Sequence, residues 1–189
     1  MNIFFEILSQ HKIMLQQLEQ CYPQINLASE LLIRTLKKGG KILLCGNGGS
    51  AAHCQHIATE LMVRYQKNRQ AIPAIALSTD SSILTAHSND FGFSTVFSRQ
   101  IEALGDPKDC LIAISTSGNS ENILHAAAAA RAKDMSVIGL MGANGGRLCE
   151  LATQAIGVPS LVTARIQEAH LLIGHVWCEA IEEAFSSHE

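Results

Sequence analysis

Two titratable side chains, His56 and Glu60, lie four residues apart directly after a glycine-rich stretch. On a helix this spacing puts both side chains on one face. An imidazole and a carboxylate placed in this way can bind a divalent metal ion, or the carboxylate can act as a general base. The same spacing is common in ordinary surface hydrogen bonds, so the pair alone does not indicate a functional site. The loop that precedes it makes a functional interpretation stronger.

That loop has the composition of an anion-binding site. An apolar run over 41–45 leads into small residues and then into a helix; the small residues are Gly46, Asn47, Gly48, Gly49 and Ser50. Such loops expose backbone N–H groups, and the N-terminus of a helix favours negative charge. Serine and asparagine are also common helix caps, so this loop alone is ambiguous.

A second loop of the same character follows the apolar run 110–115; its residues are Ser115, Thr116, Ser117, Gly118, Asn119 and Ser120. Ligands of open α/β sheets bind at the carboxyl ends of the strands. Two such loops at corresponding strand ends therefore predict a phosphate or sugar-phosphate site. Neither loop is a P-loop or a dinucleotide fingerprint, so nucleotide binding is not indicated.

More polar residues lie in the segment ARIQEAHLLIGH; they are Arg165, Gln167, Glu168, His170 and His175. We expect Leu171, Leu172 and Val176 to occupy the buried face of this helix. Gln167 and His175 are separated by about 12 Å of helical rise, so spacing alone does not make them ligands of one ion. Either Gln167 lies at a frayed helix start, or the site is completed across a subunit interface. Elsewhere, Asn89-Asp90 is predicted as a turn that recognises sugar hydroxyls.

The hydrophobic pattern predicts the elements that position these residues. Residues 2–38 form two helices, broken at Pro23 and ended by Gly39-Gly40. Short apolar runs typical of buried parallel strands alternate with helices after that point. The predicted strands are 41–45, 73–78, 110–115, 136–140 and 155–158, and the predicted helices are 50–65, 80–88, 93–104, 120–133, 145–152 and 163–185. The pattern predicts one domain over 1–189, with N-terminal helices over 1–38 and an α/β sandwich over 39–189.

The composition excludes several classes of protein. The 189 residues are 47% hydrophobic, and the net charge is −3, so the chain lacks the basic surface of nucleic-acid-binding proteins. We find no signal peptide and no apolar stretch long enough to cross a bilayer, which predicts a cytoplasmic protein without a membrane partner. Six scattered cysteines without a CxxC pair predict reduced, buried side chains. The apolar residues of the N-terminal helices exceed what a small sheet needs, which suggests packing between subunits.

Four motifs taken together, CGNGGSAAHCQHIATEL, SNDFGF, ISTSGNSENI and ARIQEAHLLIGH, resemble the phosphoheptose (sedoheptulose-7-phosphate) isomerases of the sugar-isomerase (SIS) fold. The resemblance covers about residues 3–185. It implies a three-layer α/β sandwich with a central parallel sheet, and a homotetramer whose sites lie at subunit interfaces. It also implies conversion of D-sedoheptulose 7-phosphate to D-glycero-D-manno-heptose 7-phosphate, the first step toward the ADP-heptose of the lipopolysaccharide core.

The resemblance also assigns residues. One zinc ion per subunit is implied, with the ligands His56, Glu60, Gln167 and His175. The implied phosphate loop is Ser115, Thr116, Ser117 and Ser120. The implied substrate contacts are Asn47, Gly48, Gly49, Ser50, Glu60, Arg64, Asn89, Asp90 and Gln167. For an enediol mechanism we expect Glu60 to be the base that moves the carbon-bound proton and His175 to be the acid/base partner at the oxygens.

One departure keeps an alternative open. Many family members have an acidic residue before the RIQE run, where this chain has Ala164. Some relatives with alanine there are non-enzymatic and bind the replication initiator DnaA, but those lose the catalytic Glu and the last His. This chain keeps Glu60 and His175, which favours an enzyme over a DnaA-binding tetramer. A SIS-domain sensor and an isomerase for another phosphorylated ketose are the remaining alternatives.

Overall fold

The structure, a computed structural model, describes residues 2–186. The predicted domain of 1–189 therefore extends at both ends slightly past the described residues. The helices are α1 (Ile3–Leu18), α2 (Tyr22–Lys37), α3 (Gly49–Met62), α4 (Ser81–Asp90), α5 (Val96–Leu104), α6 (Glu121–Ala132), α7 (Leu148–Leu151) and α8 (Thr163–Phe185). The strands are β1 (Ile42–Gly46), β2 (Ala74–Ala76), β3 (Cys110–Ile114), β4 (Ser136–Gly142) and β5 (Gln154–Val158).

The five strands form one parallel sheet in the order β2-β1-β3-β4-β5. Every residue of β1 and β3 is buried, as expected for strands covered on both faces. Successive side chains point to opposite faces. Ile42 and Leu44 accordingly join the core under α2, α3 and α8, while Leu43 and Cys45 join the core under α5 and α6. The predicted three-layer α/β sandwich is confirmed.

The N-terminal helices separate where the sequence predicts. A short 3₁₀ turn over Glu19–Cys21 follows α1, and Pro23 lies in the first turn of α2, where a missing N–H costs nothing. Only part of α1 is buried. It leaves large apolar side chains in solvent, namely Ile3, Phe4, Phe5, Ile7 and Ile13.

Two predictions about local structure are wrong. Asn89-Asp90 is not a turn, because α4 continues through Asp90. The buried face of α8 is also different: Leu172 and Val176 are 42% and 43% exposed, whereas His170 is buried together with the large side chains of this helix.

Smaller differences concern element ends and cysteines. The predicted helix 145–152 shortens to α7 because Gly145 and Gly146 have positive φ. The predicted strand 73–78 shortens to β2. All six cysteines are free, but Cys149 is exposed and Cys21 only half-buried, against the expectation of burial. Within residues 2–186, no helix has both the length and the apolar character required to cross a bilayer.

Candidate active site

The two predicted anion-binding loops lie side by side. β1 and β3 are neighbouring strands, and Gly46 at the end of β1 pairs in register with Ile114 at the end of β3. The chain continues from β1 to β2 on one side, while β3 lies on the other. Loops that diverge in this way leave a crevice outside the carboxyl ends of the strands. The two loops predicted from the sequence therefore lie next to each other at the point where the strand order reverses.

The first glycine loop (46–50) is shaped by backbone constraints. Gly48 has φ +53°, and a side chain on Gly46 would contact Ser50 at 2.8 Å. Ser50 itself is buried under the loop. A Cβ on Gly49 would lie 2.9 Å from Nε2 of Gln167, so the side chain of Gln167 rests directly on the loop. The structure thus brings Gln167, from the first turns of α8, to the start of α3.

The hydroxyl loop (115–120) gathers three serines at the N-terminus of α6. The Oγ atom of Ser115 lies 3.1 Å from that of Ser120 and 3.5 Å from that of Ser117. Ser120 occupies the N-cap position, yet its side chain makes no capping hydrogen bond to the first turn of α6, all of which is described. The hydroxyl of Ser120 therefore does not cap α6; it contacts the hydroxyl of Ser115 and has further hydrogen-bonding capacity for a ligand. Thr116 and Ser117 also line an adjoining cavity of about 290 Å³.

Helices α3 and α8 bring the titratable side chains together. Nε2 of His56 lies 3.7 Å from Oε1 of Glu60 and 2.9 Å from Nε2 of His175. The rings of His56 and His175 meet edge to face, with centroids 5.1 Å apart. Glu60 is partly shielded, with 21% of its side chain exposed. An imidazole that can donate or accept a proton therefore stands beside a carboxylate, as acid/base chemistry requires.

His53, one turn before His56, is a site residue that the sequence motifs do not indicate. Its Nδ1 atom is buried and has no hydrogen-bond partner among residues 2–186. Burial lowers the pKa of His53, and the nearby His56 and His175 lower it further. The spacing of three between His53 and His56 was the available signal, since it places both on one face of a helix. The site thus holds three imidazoles.

Other polar residues of α8 have structural tasks. His170 is fully buried and bonds to the carbonyl of Met141 at 3.2 Å. Burial is the main cause that lowers its pKa to about 4. Arg165 bonds to Glu168 at 2.6 Å and donates to the carbonyl of Ile7, so these residues attach α1 to α8.

Within residues 2–186, three predicted substrate contacts make hydrogen bonds only to their sequence neighbours and none to this group. Arg64 is exposed just beyond α3, with its guanidinium 3.4 Å from Oδ1 of Asn68. Asn89 and Asp90 are exposed at the end of α4, where the Asn89 amide donates to the Asp90 carboxylate at 2.9 Å. Their roles in substrate binding stay predictions.

The donor types at the centre of the site fit a zinc ion. Zinc binds imidazole nitrogen and carboxylate oxygen, which His56, His175 and Glu60 supply. As they are arranged in residues 2–186, no group of three or more His, Cys, Asp or Glu side chains has the spacing of a metal site. Zinc binding therefore stays a prediction.

Comparison with known proteins identifies the family. The SIS-domain family model matches residues 8–142. A curated relative, phosphoheptose isomerase 1 of Campylobacter jejuni, is 53% identical over 176 residues, which cover 93% of this chain and 95% of the relative.

Two solved structures have the same fold throughout. The phosphoheptose isomerase GmhA of Neisseria gonorrhoeae superimposes with a TM-score of 0.89 at 42% identity, covering 94% of this chain and 97% of that one. A phosphoheptose isomerase of Francisella tularensis gives a TM-score of 0.89 at 38% identity, covering 97% of this chain and all of that one. The chain therefore belongs to the phosphoheptose isomerases of the SIS-domain family and is an aldose–ketose isomerase.

Proposed function

We propose that this enzyme converts D-sedoheptulose 7-phosphate to D-glycero-D-manno-heptose 7-phosphate, the first step of ADP-heptose synthesis for the lipopolysaccharide core. The observation that carries the proposal is the close grouping of Glu60, His56 and His175 on helices that also hold the first glycine loop and Gln167, next to the hydroxyl loop at the neighbouring strand end. Such a site suits a small phosphorylated sugar. The names of the relatives support the heptose as the sugar.

The chemistry moves a carbonyl group from C2 to C1. Glu60 removes a proton from C1 while O2 gains a proton, which gives an enediol with a C1–C2 double bond. The O1 hydroxyl then loses its proton as the C1 carbonyl forms, and C2 receives a proton from Glu60. His175 gives and takes the protons at the oxygens, and neighbouring His56 orients it. The sum of these transfers is zero, so no external acid, base or oxidant is consumed.

The phosphate group gives binding energy far from the reacting carbons. The hydroxyls of the 115–120 loop and the N-terminus of α6 would bind it, while the first glycine loop and Gln167 would contact the sugar. Binding energy at a remote group holds C1 and C2 in the reactive geometry.

A zinc ion, if bound, would be held by His56, Glu60, Gln167 and His175. It would supply Lewis-acid polarisation of the substrate carbonyl.

The homotetramer, the cytoplasmic location and the roles of Arg64, Asn89 and Asp90 stay predictions. The exposed apolar face of α1 supports an oligomer, because a patch of this kind on a lone subunit would be unfavourable in water.

The test is proton NMR of purified enzyme with sedoheptulose 7-phosphate in D₂O, with and without a chelator. We expect aldose anomeric signals to appear, with deuterium incorporated at C2 to the extent that the proton held on Glu60 exchanges with solvent. Isomerisation that keeps all of the C1 hydrogen at C2 and continues undiminished in Glu60→Gln would contradict the enediol. Loss of turnover with the chelator, restored by zinc, would support a role for the metal ion in the reaction.

Turnover of a shorter ketose phosphate, and not of the heptulose phosphate, would show that the substrate is a different sugar. Absence of turnover on every ketose phosphate would contradict the proposed reaction. The alternative, a tetramer that binds DnaA, would then be tested by co-purification with the initiator.

A further inference from the structure

A buried carboxylate holds the segment that follows α3. Glu182, near the end of α8, is 2% exposed. It accepts hydrogen bonds from three consecutive backbone N–H groups, those of Tyr65, Gln66 and Lys67, at 3.0, 2.8 and 2.9 Å. Three amides converging on one carboxylate fix the path of this loop more firmly than side-chain packing alone.

Arg69 connects the same carboxylate to the end of α3. Its fully buried side chain places Nε 3.4 Å from Oε1 of Glu182. Its Nη atoms donate to the carbonyls of Leu61 at 2.8 Å and Glu60 at 2.7 Å. The last carbonyls of a helix have no partner within the helix, so Arg69 satisfies them. One of these carbonyls belongs to the proposed catalytic base.

The surroundings of Glu182 favour its charged form although the side chain is buried. Burial alone would raise the pKa of Glu182, but the three backbone N–H groups and Arg69 outweigh burial and lower the pKa. A buried ion pair contributes little to stability compared with apolar residues of the same shape. Its value here is the geometry that it imposes on the loop.

The loop in turn positions an aromatic ring at the site. The ring of Tyr65 lies 5.7 Å from that of His175, at an interplanar angle of 34°. His175 and Glu182 are both on α8, about two helical turns apart. Glu182 therefore reaches both members of the proposed acid/base pair: His175 through Tyr65, and Glu60 through Arg69.

We propose that Glu182 is a positioning residue of the isomerase, which fixes the 63–69 segment so that Tyr65 orients His175 and the end of α3 orients Glu60. The proposal rests on the roles given to Glu60 and His175 above. Glu182 itself touches no substrate atom, so its substitution should affect turnover more than substrate binding.

The experiment compares Glu182→Gln with Glu183→Gln. Glu183 is the matched control, because it is the next residue on the same helix, pairs with Lys67 and is exposed. In Glu182→Gln we expect kcat to fall by about 10- to 100-fold while KM changes by less than about threefold. Amide exchange of Tyr65, Gln66 and Lys67 should accelerate. Glu183→Gln should show neither effect.

Two further measurements keep the test decisive. The imidazole NMR signals of His175 should shift in Glu182→Gln and in Tyr65→Leu, whatever the sugar that the enzyme accepts. Tyr65→Leu should also reproduce the loss of kcat, so it carries the test if Glu182→Gln does not fold. If amide exchange accelerates while the His175 signals and kcat stay unchanged, Glu182 holds the loop but does not position the acid/base pair. That result would overturn the proposal. Absence of turnover in the parent enzyme would instead count against the proposed function.

Discussion

Asn47 and Asn122 exchange two side-chain hydrogen bonds, of 2.9 and 2.8 Å, across the crevice between β1 and β3. Each amide uses one donor and its acceptor, and Asn122 is almost fully buried. Asn47 belongs to the first glycine loop and Asn122 to the first turn of α6. The pair therefore sets the distance between the loop that would contact the sugar and the loop that would bind the phosphate.

Asn122→Ala should weaken both the fold and the site. The substitution removes both hydrogen bonds of the pair and leaves the half-buried amide of Asn47 without its partner, at a cost of about 1–3 kcal/mol in the free energy of unfolding. Urea unfolding measures this loss, and KM for the phosphosugar should rise because the two loops are no longer joined. Asn26→Ala is the control, since Asn26 makes a single exposed hydrogen bond, to Glu30. Equal effects of the two substitutions would contradict the coupling.

Glu60→Gln should keep the fold and most of the substrate affinity while turnover falls by several orders of magnitude, because a carboxamide cannot accept the carbon-bound proton. Single-turnover kinetics together with calorimetric binding would separate the two quantities. Glu179→Gln, an exposed change on α8, serves as the control. Near-normal turnover in Glu60→Gln would remove Glu60 as the base.

Ser120→Ala should impair binding and leave stability nearly unchanged. Loss of a serine that caps a helix typically costs about 1 kcal/mol, but the hydroxyl of Ser120 does not cap α6. We expect KM to rise by about tenfold, equivalent to about 1.4 kcal/mol of binding energy. Inorganic phosphate should inhibit the variant more weakly than the parent, and Ser82→Ala, on exposed α4, should change neither value. A stability loss without a change in KM would reassign Ser120 to the fold.

Acid should destabilise the protein through His170. Burial lowers the pKa of His170 to about 4 in the folded state, against 6.5 for the free side chain. Between these values the unfolded chain binds the proton and the folded chain does not. Stability should therefore be fully present above pH 6.5 and decrease by about 1.4 kcal/mol per pH unit as the pH falls toward 4.

Urea unfolding from pH 7.5 to 4.5 tests this slope. His170→Gln should reduce the slope of stability against pH, whereas His125→Gln, a change at an exposed position of α6, should leave the slope unchanged. An identical pH dependence in parent and His170→Gln would show that other groups cause the acid sensitivity.

The sheet was predictable from sequence because its strands are continuous apolar runs, which parallel strands buried on both faces require.

The position at which α4 ends was not predictable from sequence. Asn89-Asp90 has the composition of a turn, but Asp80 caps α4 by accepting from the N–H of Ile83, and the helix continues to Asp90, two residues before Gly92, which has φ +91°.

The buried face of α8 escaped prediction for a different reason. Leucines were expected inside, yet α8 approaches α3 closely at Gly174, where a Cβ would lie 2.6 Å from Ile57. The hydrophobic pattern of a sequence does not show where two helices pack closely at a glycine, so it could not predict which face of α8 is buried.

Residues that act over long sequence distances were also missed. Asn122 and Glu182 each bond to partners more than about 70 positions away, Asn47 and the 65–67 segment. Neither belongs to a local motif, so spacing along the chain gives no indication of their role.

The parallel order of the sheet also bears on how the protein acquires its active site during folding. In the described part of the chain, residues 2–186, no strand pairs with its sequence neighbour through a hairpin. β1 meets β3 only after the chain between Ile42 and Cys110 has closed. Closing loops of this length makes parallel sheets slow to form. The two anion-binding loops become neighbours in that single closure, so an intermediate in which β1 and β3 are unpaired has helices and partial strands but no crevice in which a sugar phosphate can bind.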